Sequence, residues 1–88
     1  MTEGVDEVEI GRVNDYFAHI SVAGIDLSAP LKVGDRIRIK GHTTDIEQAV
    51  DSLQIEHASV PEAKAGDKIG IKVSDRCRPG DHVYRIVD

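Results

Sequence analysis

Cys77 and His82 are the two side chains whose chemistry comes closest to that of a catalytic pair. They are five residues apart and flank a Pro-Gly-Asp turn sequence. A histidine that takes the proton of a neighbouring cysteine produces a thiolate nucleophile. A lone cysteine is more often a small buried apolar residue, and a histidine just after a turn is usually exposed. We therefore predict no catalytic dyad, and a protein that is not an enzyme.

Histidines and carboxylates offer a second kind of chemistry, metal binding. His19, His42 and His57 could in principle be combined with Asp45 or Glu56. Their spacing matches neither H-E-x-x-H nor the paired C-x-x-C of zinc sites. We expect no metal and no cofactor, and we place His57 in the core or at its rim, with a ring nitrogen bonded to a backbone carbonyl.

A Gly-Asp dipeptide precedes an alternating apolar stretch three times, in LKVGDRIRIK (31–40), AKAGDKIGIK (63–72) and CRPGDHVYRI (77–86). Glycine adopts the positive φ of a tight turn, and the aspartate side chain accepts hydrogen bonds from nearby backbone amides. We predict that these aspartates cap turns and do not bind cations. The turn residues are Gly34, Asp35, Gly66, Asp67, Gly80 and Asp81.

Basic residues alternate with apolar ones in the first two of these stretches. Side chains in a strand point alternately to opposite faces, so an apolar inner face leaves a basic outer face. Gly70 lies within the second stretch, where the missing side chain would let a backbone or a ligand come close. The alternative is a solvated face that keeps strand edges from pairing. The RNA-binding candidates are Arg36, Arg38, Lys40, Lys68 and Lys72.

The composition limits the class of protein. The chain has 88 residues, a net charge of −5, one cysteine and no tryptophan. This length and composition suit one domain with an aliphatic core. The negative charge argues against a protein that coats nucleic acid without regard to sequence. A single cysteine excludes an intramolecular disulfide and fits a reducing compartment. No apolar run approaches the roughly 20 residues of a membrane span. We predict a soluble, cytoplasmic protein that does not bind membranes.

The N-terminal third reads as a hairpin. Val8, Ile10 and Val13 mark a first strand, Asn14-Asp15 a turn, and residues 16–22 a second strand. Ile10 and Val13 are three residues apart, and in a regular strand this odd spacing would put them on opposite faces. We therefore predict a bulge at Gly11-Arg12. The acidic residues 1–7 are expected to fray, which leaves 8–88 as a single barrel domain. Residues 23–32 are predicted to form a loop whose apolar members, Ile25, Leu27 and Leu31, cover one end of the barrel.

Residues 44–53 fit two patterns. Thr44-Asp45-Ile46-Glu47 has the form of a helix capping box, and the apolar residues that follow have helical spacing. The same stretch also alternates like a strand, provided that a bulge lies near Asp51-Ser52. The spacing alone permits a short helix or a strand.

The runs VDSLQIEH (50–57), VPEAKAGDKIGIKV (60–73) and RPGDHVYRI (78–86) resemble the second domain of translational GTPases such as elongation factor Tu and initiation factor two. GHTTD (41–45) and VYRI (83–86) are more similar still to stand-alone barrels of this type, and to the C-terminal barrel of collagenase-like peptidase and tRNA-hydroxylation proteins. The resemblance implies an all-β fold, a small closed antiparallel barrel of about six strands, with a strand over 48–57.

Two functions follow from this resemblance. No G-x-x-x-x-G-K-[ST] motif is present, so we expect no GTP binding. The first hypothesis is a non-catalytic module that contacts RNA or the translation machinery, with tRNA or the ribosome as partner. The alternative is a protein-interaction module equivalent to a detached C-terminal barrel of a tRNA-modifying or peptidase-like enzyme. The scarcity of aromatic side chains, on which RNA bases usually stack, weakens the first. A contact with phosphates and RNA shape needs no stacking, so the resemblance keeps the first hypothesis slightly ahead.

Overall fold

A computed structural model describes residues 6–87, which form ten β-strands and no helix. The all-β prediction is thus confirmed for this range. Within it, no helix is long and apolar enough to cross a membrane. The strands are β1 (Asp6–Phe17), β2 (Val22–Leu27), β3 (Leu31–Lys32), β4 (Arg36–Lys40), β5 (Asp45–Ala49), β6 (Leu53–Ile55), β7 (Ala58–Val60), β8 (Glu62–Ala63), β9 (Lys68–Lys72) and β10 (His82–Val87).

Eight of the strands form one antiparallel sheet in the order β5-β4-β10-β1-β2-β9-β6-β7, and β3 pairs with β8 in a second sheet. The resemblance implies a closed barrel of about six strands. In residues 6–87 the strands number ten, and no backbone ladder joins the end strands β5 and β7. The Gln48 side chain of β5 nevertheless reaches the end of β9, which requires the sheet to curve. Its amide donates to the Lys72 carbonyl and accepts from the Ser74 amide, both at 2.8 Å.

Strand β1 is longer than the sequence predicts and serves two partners. It pairs with β10 over its first half and with β2 over its second half. Its register shifts between Glu9 and Gly11 against β10, and between Val13 and Asp15 against β2. The first shift turns both Ile10 and Val13 inward, and it lies beside the bulge predicted at Gly11-Arg12. Residues 6 and 7 of the acidic segment belong to β1; residues 1–5 lie outside the described range.

The turn predicted at Asn14-Asp15 is wrong. Asn14 lies at the second register shift, where its side chain donates to Asp26 Oδ1 at 2.7 Å. The chain reverses at residues 18–21 instead, where the Ile20 amide bonds to the Phe17 carbonyl. The short polar side chain that favours turns also suits a bulge, because it can satisfy a neighbouring group across the ladder.

The loop predicted over 23–32 is also wrong for most of its length. Residues 22–27 form β2, with Ala23, Ile25 and Leu27 inward, and Leu31 is buried in β3. Gly24 and Asp26 are residue types that favour turns, but here they occupy strand positions opposite Gly70 and Lys68 of β9. Tertiary pairing with β1 and β9 therefore overrides the local turn preference of these residues.

The ambiguous segment 44–53 is extended. β5 and β6 are separate strands, with a break at residues 50–52, where the bulge is predicted. The single strand implied over 48–57 is therefore wrong in its extent. The helical spacing arises because Ile46, Val50 and Leu53, all buried, reach the core from both sides of this break.

Aliphatic side chains fill the space enclosed by the curved sheet. Ile37 and Ile39 of β4 face Ile25 of β2, Ile71 of β9 and Val83 of β10 in a single cluster. Each of these is at most 2% exposed. Branched aliphatic side chains pack well on a pleated surface, so a core without tryptophan is sufficient to hold the sheet together.

Candidate docking groove

The three Gly-Asp turns share one geometry. Gly34, Gly66 and Gly80 have φ angles of 100°, 94° and 96°. Asp35, Asp67 and Asp81 each accept, through Oδ2, the backbone amide three residues earlier, at 3.1, 2.8 and 2.9 Å. The side chains of these aspartates are thereby used to hold turns that begin β4, β9 and β10.

The arginines of β4 are engaged by carboxylates. Arg36 Nη2 lies 3.2 Å from Glu47 Oε2, and Arg38 contacts both Glu7 and Asp45 at 3.0 Å. Hydrogen bonding to Arg38 lowers the pKa of the Asp45 carboxyl group, so this contact persists at neutral pH. Both arginines are thus partly compensated by carboxylates, which reduces the positive charge that they offer to a phosphate.

The lysine candidates do not extend this surface into a continuous basic patch. Lys40, Lys68 and Lys72 are exposed, and within residues 6–87 no carboxylate lies within ion-pair distance of them. In sheet order β10, β1 and β2 separate β4 from β9. In the other direction β5 intervenes with its exposed Asp45 and Glu47. The basic stripes are therefore not adjacent, because three strands separate them on one route and the acidic side chains of β5 lie between them on the other.

Cys77 and His82 occupy different surroundings. Cys77 belongs to the core and is 2% exposed. Burial, with a smaller effect of the Asp81 charge, raises the pKa of its thiol to about 11. The His82 ring, on the outer side of β10, contacts Glu9 through Nδ1 at 2.5 Å. A thiol that keeps its proton at neutral pH is a poor nucleophile.

The histidines considered as metal ligands are dispersed. Across residues 6–87, no three His, Cys, Asp or Glu side chains are grouped as a metal site. The placement of His57 in the core or at its rim is wrong, because it is exposed, with a φ of 67°. It forms the turn between β6 and β7 together with Glu56, whose φ is 50°. Two successive positive φ angles match the twist of a two-residue hairpin, which explains why this residue leaves the core face.

An open groove of about 450 Å³ lies on the outer face of β1, β2, β6 and β9. Phe17 and Ile20 stand at one end, 42% and 50% exposed. They are two of the five large apolar side chains exposed in residues 6–87. The remaining lining residues are Asn14, Asp15, His19, Val22, Gly24, Gln54, Glu56, His57, Lys68, Ile69 and Gly70. We call this feature the docking groove.

Glycines form the floor of the docking groove. Gly24 of β2 and Gly70 of β9 are directly paired, and Gln54 of β6 pairs with Gly70 on its other side. A Cβ atom at Gly70 would meet only a Val22 methyl group, at 3.3 Å. At Gly24 a Cβ atom would lie 2.8 Å from Asn14 Oδ1, so the Asn14 side chain covers this glycine. The backbone is therefore open to an approaching segment at Gly70, as expected from Gly70 in the sequence.

Strained turns border the docking groove. Within the described range, three non-glycine residues have positive φ: Ser21, Glu56 and His57. Glu56 and His57 line the groove, and Ser21 ends the turn that carries His19 and Ile20. Such conformations cost free energy and cluster at functional sites. The sequence does not reveal this groove, because one end of the groove is formed by the turn at residues 18–21. The sequence predicts that turn at Asn14-Asp15 instead.

The chain is similar in sequence to proteins that are named as proteases or collagenases. The chain is 46% identical over 79 residues to the uncharacterized protease MJ0090 of Methanocaldococcus jannaschii, covering 89% of this chain and 19% of that protein. It is 36% identical over 81 residues to a collagenase of Porphyromonas gingivalis strain W83, covering 90% and 20%. A second Porphyromonas gingivalis collagenase is 37% identical, with 86% and 22% covered. The chain thus spans about a fifth of the length of these proteins.

Solved structures give the class of fold. The C-terminal domain of a Geobacillus thermoleovorans putative U32 peptidase superposes with a TM-score of 0.81 and 16% sequence identity, covering 86% of this chain and 89% of that domain. Its selenomethionine variant gives the same TM-score. No family model matches the chain. The fold is that of a U32 peptidase C-terminal domain. The sequence relatives are collagenase-like, so the resemblance to translational GTPases gains no support from these proteins.

Proposed function

We propose that this chain is a non-catalytic protein-interaction module, equivalent to the C-terminal domain of U32 peptidases, that docks against the other domains of a peptidase-like protein. The observation that carries this proposal is the extent of the sequence match. The chain corresponds to a fifth of proteins that are up to 46% identical to it, so its fold occurs there beside a much larger remainder. A domain in that context needs a surface that packs on its neighbours.

The docking groove is the surface best suited to this contact. Exposed Phe17 and Ile20 are an apolar anchor, and the bare backbone at Gly70 admits a protruding side chain or segment. The occupant we propose is an apolar segment of the peptidase-like remainder. The buried, protonated Cys77 thiol supports a non-catalytic role.

An RNA-binding role has less support. Arg36 and Arg38 are already paired with Glu47, Glu7 and Asp45. Affinity for a phosphate backbone depends on cations that are free to replace counterions. The charges available on the outer face do not form a track of that kind.

A chimera tests the proposal. In it, this chain replaces the matching fifth of the Methanocaldococcus jannaschii relative, with or without the double substitution Phe17→Asp, Ile20→Asp. Because both side chains are exposed in the isolated module, we expect its melting temperature to stay the same. In the chimera, the double substitution should lower the free energy of unfolding by about 2 kcal/mol, because the apolar burial at the contact is lost.

Val33→Asp provides the matched control, because Val33 is 43% exposed and lies outside the docking groove. It should leave both the isolated module and the chimera unchanged. Scanning calorimetry of all six proteins gives the comparison. Equal melting temperatures for the chimera with and without the groove substitutions would refute the docking proposal.

A further inference from the structure

Arg85 of β10 points toward the interior of the fold. It shares a strand face with Val83, which is fully buried, since the two are separated by one residue. It is paired in register with Ile37 of β4 and Val8 of β1. An inward-facing arginine in a sheet of aliphatic residues is unusual, because arginine is seldom buried without a partner.

The Nε atom of Arg85 is buried and has no hydrogen-bond acceptor among residues 6–87. Among residues 6–87, no ion pair includes this side chain, although Arg36 and Arg38 on the adjacent strand are both paired. Arg85 as a whole is half-buried, but a buried N–H donor without an acceptor is unfavourable, and a ligand in the adjacent space would supply one.

A cavity of about 410 Å³ lies beside Arg85, at the end of the fold formed by β3 and β8. Lys32 and Lys64 also line it, as do the carboxylates of Asp35 and Glu62. The Asp35 carboxylate is already bonded to the Lys32 amide. Three cations against two carboxylates leave one positive charge, which suits a singly charged anion better than a doubly charged phosphate.

The rest of the cavity wall is apolar. Pro30, Leu31 and Ala63 form it, and Leu31 and Ala63 are buried in the core. A planar guanidinium matches the two oxygens of a carboxylate. The apolar wall can then accommodate a hydrocarbon group attached to that carboxylate.

We propose that this cavity binds a carboxylate with an apolar substituent, with Arg85 as the principal contact and Lys32 and Lys64 at the rim. The two sources of this chemistry are the C-terminus of a polypeptide that ends in an apolar residue and a free small carboxylic acid. None of the cavity residues belongs to the docking groove, so this site is independent of the proposed docking function.

Amide NMR titrations of the whole chain test the site. The probes are N-acetylleucine, its uncharged amide N-acetylleucinamide, and a short acetylated peptide that ends in Ala-Leu with a free C-terminus and contains no other carboxylate. We expect shifts at the cavity residues with the two carboxylates and none with the amide. Tighter binding of the peptide identifies a chain terminus as the ligand, and equal binding identifies a free acid.

Substitutions make the assignment specific. Arg85→Gln should weaken carboxylate binding by at least about tenfold, as expected for a charged hydrogen bond. Lys64→Gln, at an exposed rim position, should weaken carboxylate binding by about threefold. This variant replaces Arg85→Gln as the test if Arg85→Gln does not fold. Arg12→Gln, an exposed arginine outside the cavity, should leave it unchanged. Three results would each overturn the proposal. They are equal binding of the amide and the acid, no binding of either carboxylate, and wild-type affinity in the rim and Arg85 variants.

Discussion

Glycine serves two separate purposes at the residue scale. Gly34, Gly66 and Gly80 provide a left-handed backbone, and a Cβ atom at any of them would meet nothing within 4 Å. Gly41 provides space instead, since a Cβ there would lie 1.9 Å from Asp81 Oδ1. Asp81 is itself 7% exposed and caps the turn before β10. The third Gly-Asp turn therefore depends on a glycine from a distant part of the sequence.

The left-handed glycines can be tested by substitution. Gly34→Ala and Gly66→Ala should each lower the free energy of unfolding by about 1 kcal/mol or more, because alanine is strained at positive φ. Gly34→Asn should cost less, since asparagine tolerates this conformation. Urea denaturation measures all three variants. A Gly34→Ala protein as stable as wild type would contradict the role of the backbone angle.

The buried thiol of Cys77 predicts a dependence on alkaline pH. Its pKa is raised from an ordinary value of 9.0 to about 11 in the folded protein. Below pH 9 the thiol keeps its proton in both the folded and the unfolded chain, so the stability contribution of the protonated thiol is fully present. Between about pH 9 and 11 only the unfolded chain loses it, so the folded state loses stability as pH rises through this window.

Cys77→Ala isolates this effect from the titration of lysine and tyrosine. We expect the variant to be less stable near neutral pH, because a cavity replaces the sulfur atom. Its stability should then fall less steeply than that of wild type in the alkaline window. Denaturation curves at several pH values give the two slopes, and parallel slopes would show that the thiol is not responsible.

At the scale of elements, Gln48 joins two strands that are distant in sheet order. Its amide group takes the place of a backbone peptide between β5 and the end of β9, with one donated and one accepted hydrogen bond. The Lys72 carbonyl and the Ser74 amide are thus satisfied without a further strand. A curved sheet with such a bridge leaves fewer free edge groups for pairing with other molecules.

Removal of this bridge should loosen the connection between β5 and β9. Gln48→Ala is expected to lower the free energy of unfolding by about 1 kcal/mol, because two hydrogen bonds are lost where water can partly replace them. Gln54→Ala is the control, since Gln54 is an exposed glutamine on β6. Amide hydrogen exchange should become faster at Ser74 in the first variant only. Unchanged protection at Ser74 would argue against the bridge.

The sequence predicts the elements that begin at Gly-Asp turns better than the rest. β4 and β9 follow from local patterns, because glycine, aspartate and alternating isoleucines agree there. β1 and β2 could not be predicted in the same way. Their limits depend on the register shift at Asn14 and on the pairing of Gly24 with Gly70, which involve residues far apart in sequence. The docking groove and the Arg85 cavity arise from the same long-range pairings.

At the scale of the whole molecule, two features lie on separate surfaces. The docking groove is built on β1, β2, β6 and β9, and the Arg85 cavity at the end formed by β3 and β8. Relatives carry the matching segment as about a fifth of a longer chain, and the similar fold has been solved as a C-terminal domain. This arrangement fits a module that packs on a larger protein through one surface and keeps another available for a ligand.

Hydrogen exchange of the chimera, compared with the isolated module, tests the docking function most directly. We predict added protection in residues 17–24 and 54–57, which border the docking groove, and little change around Val33 on another surface. Exchange is sensitive to the burial of such turns because they open easily in the free protein. Identical exchange in both proteins throughout these residues would contradict the proposal that this chain is a docking module.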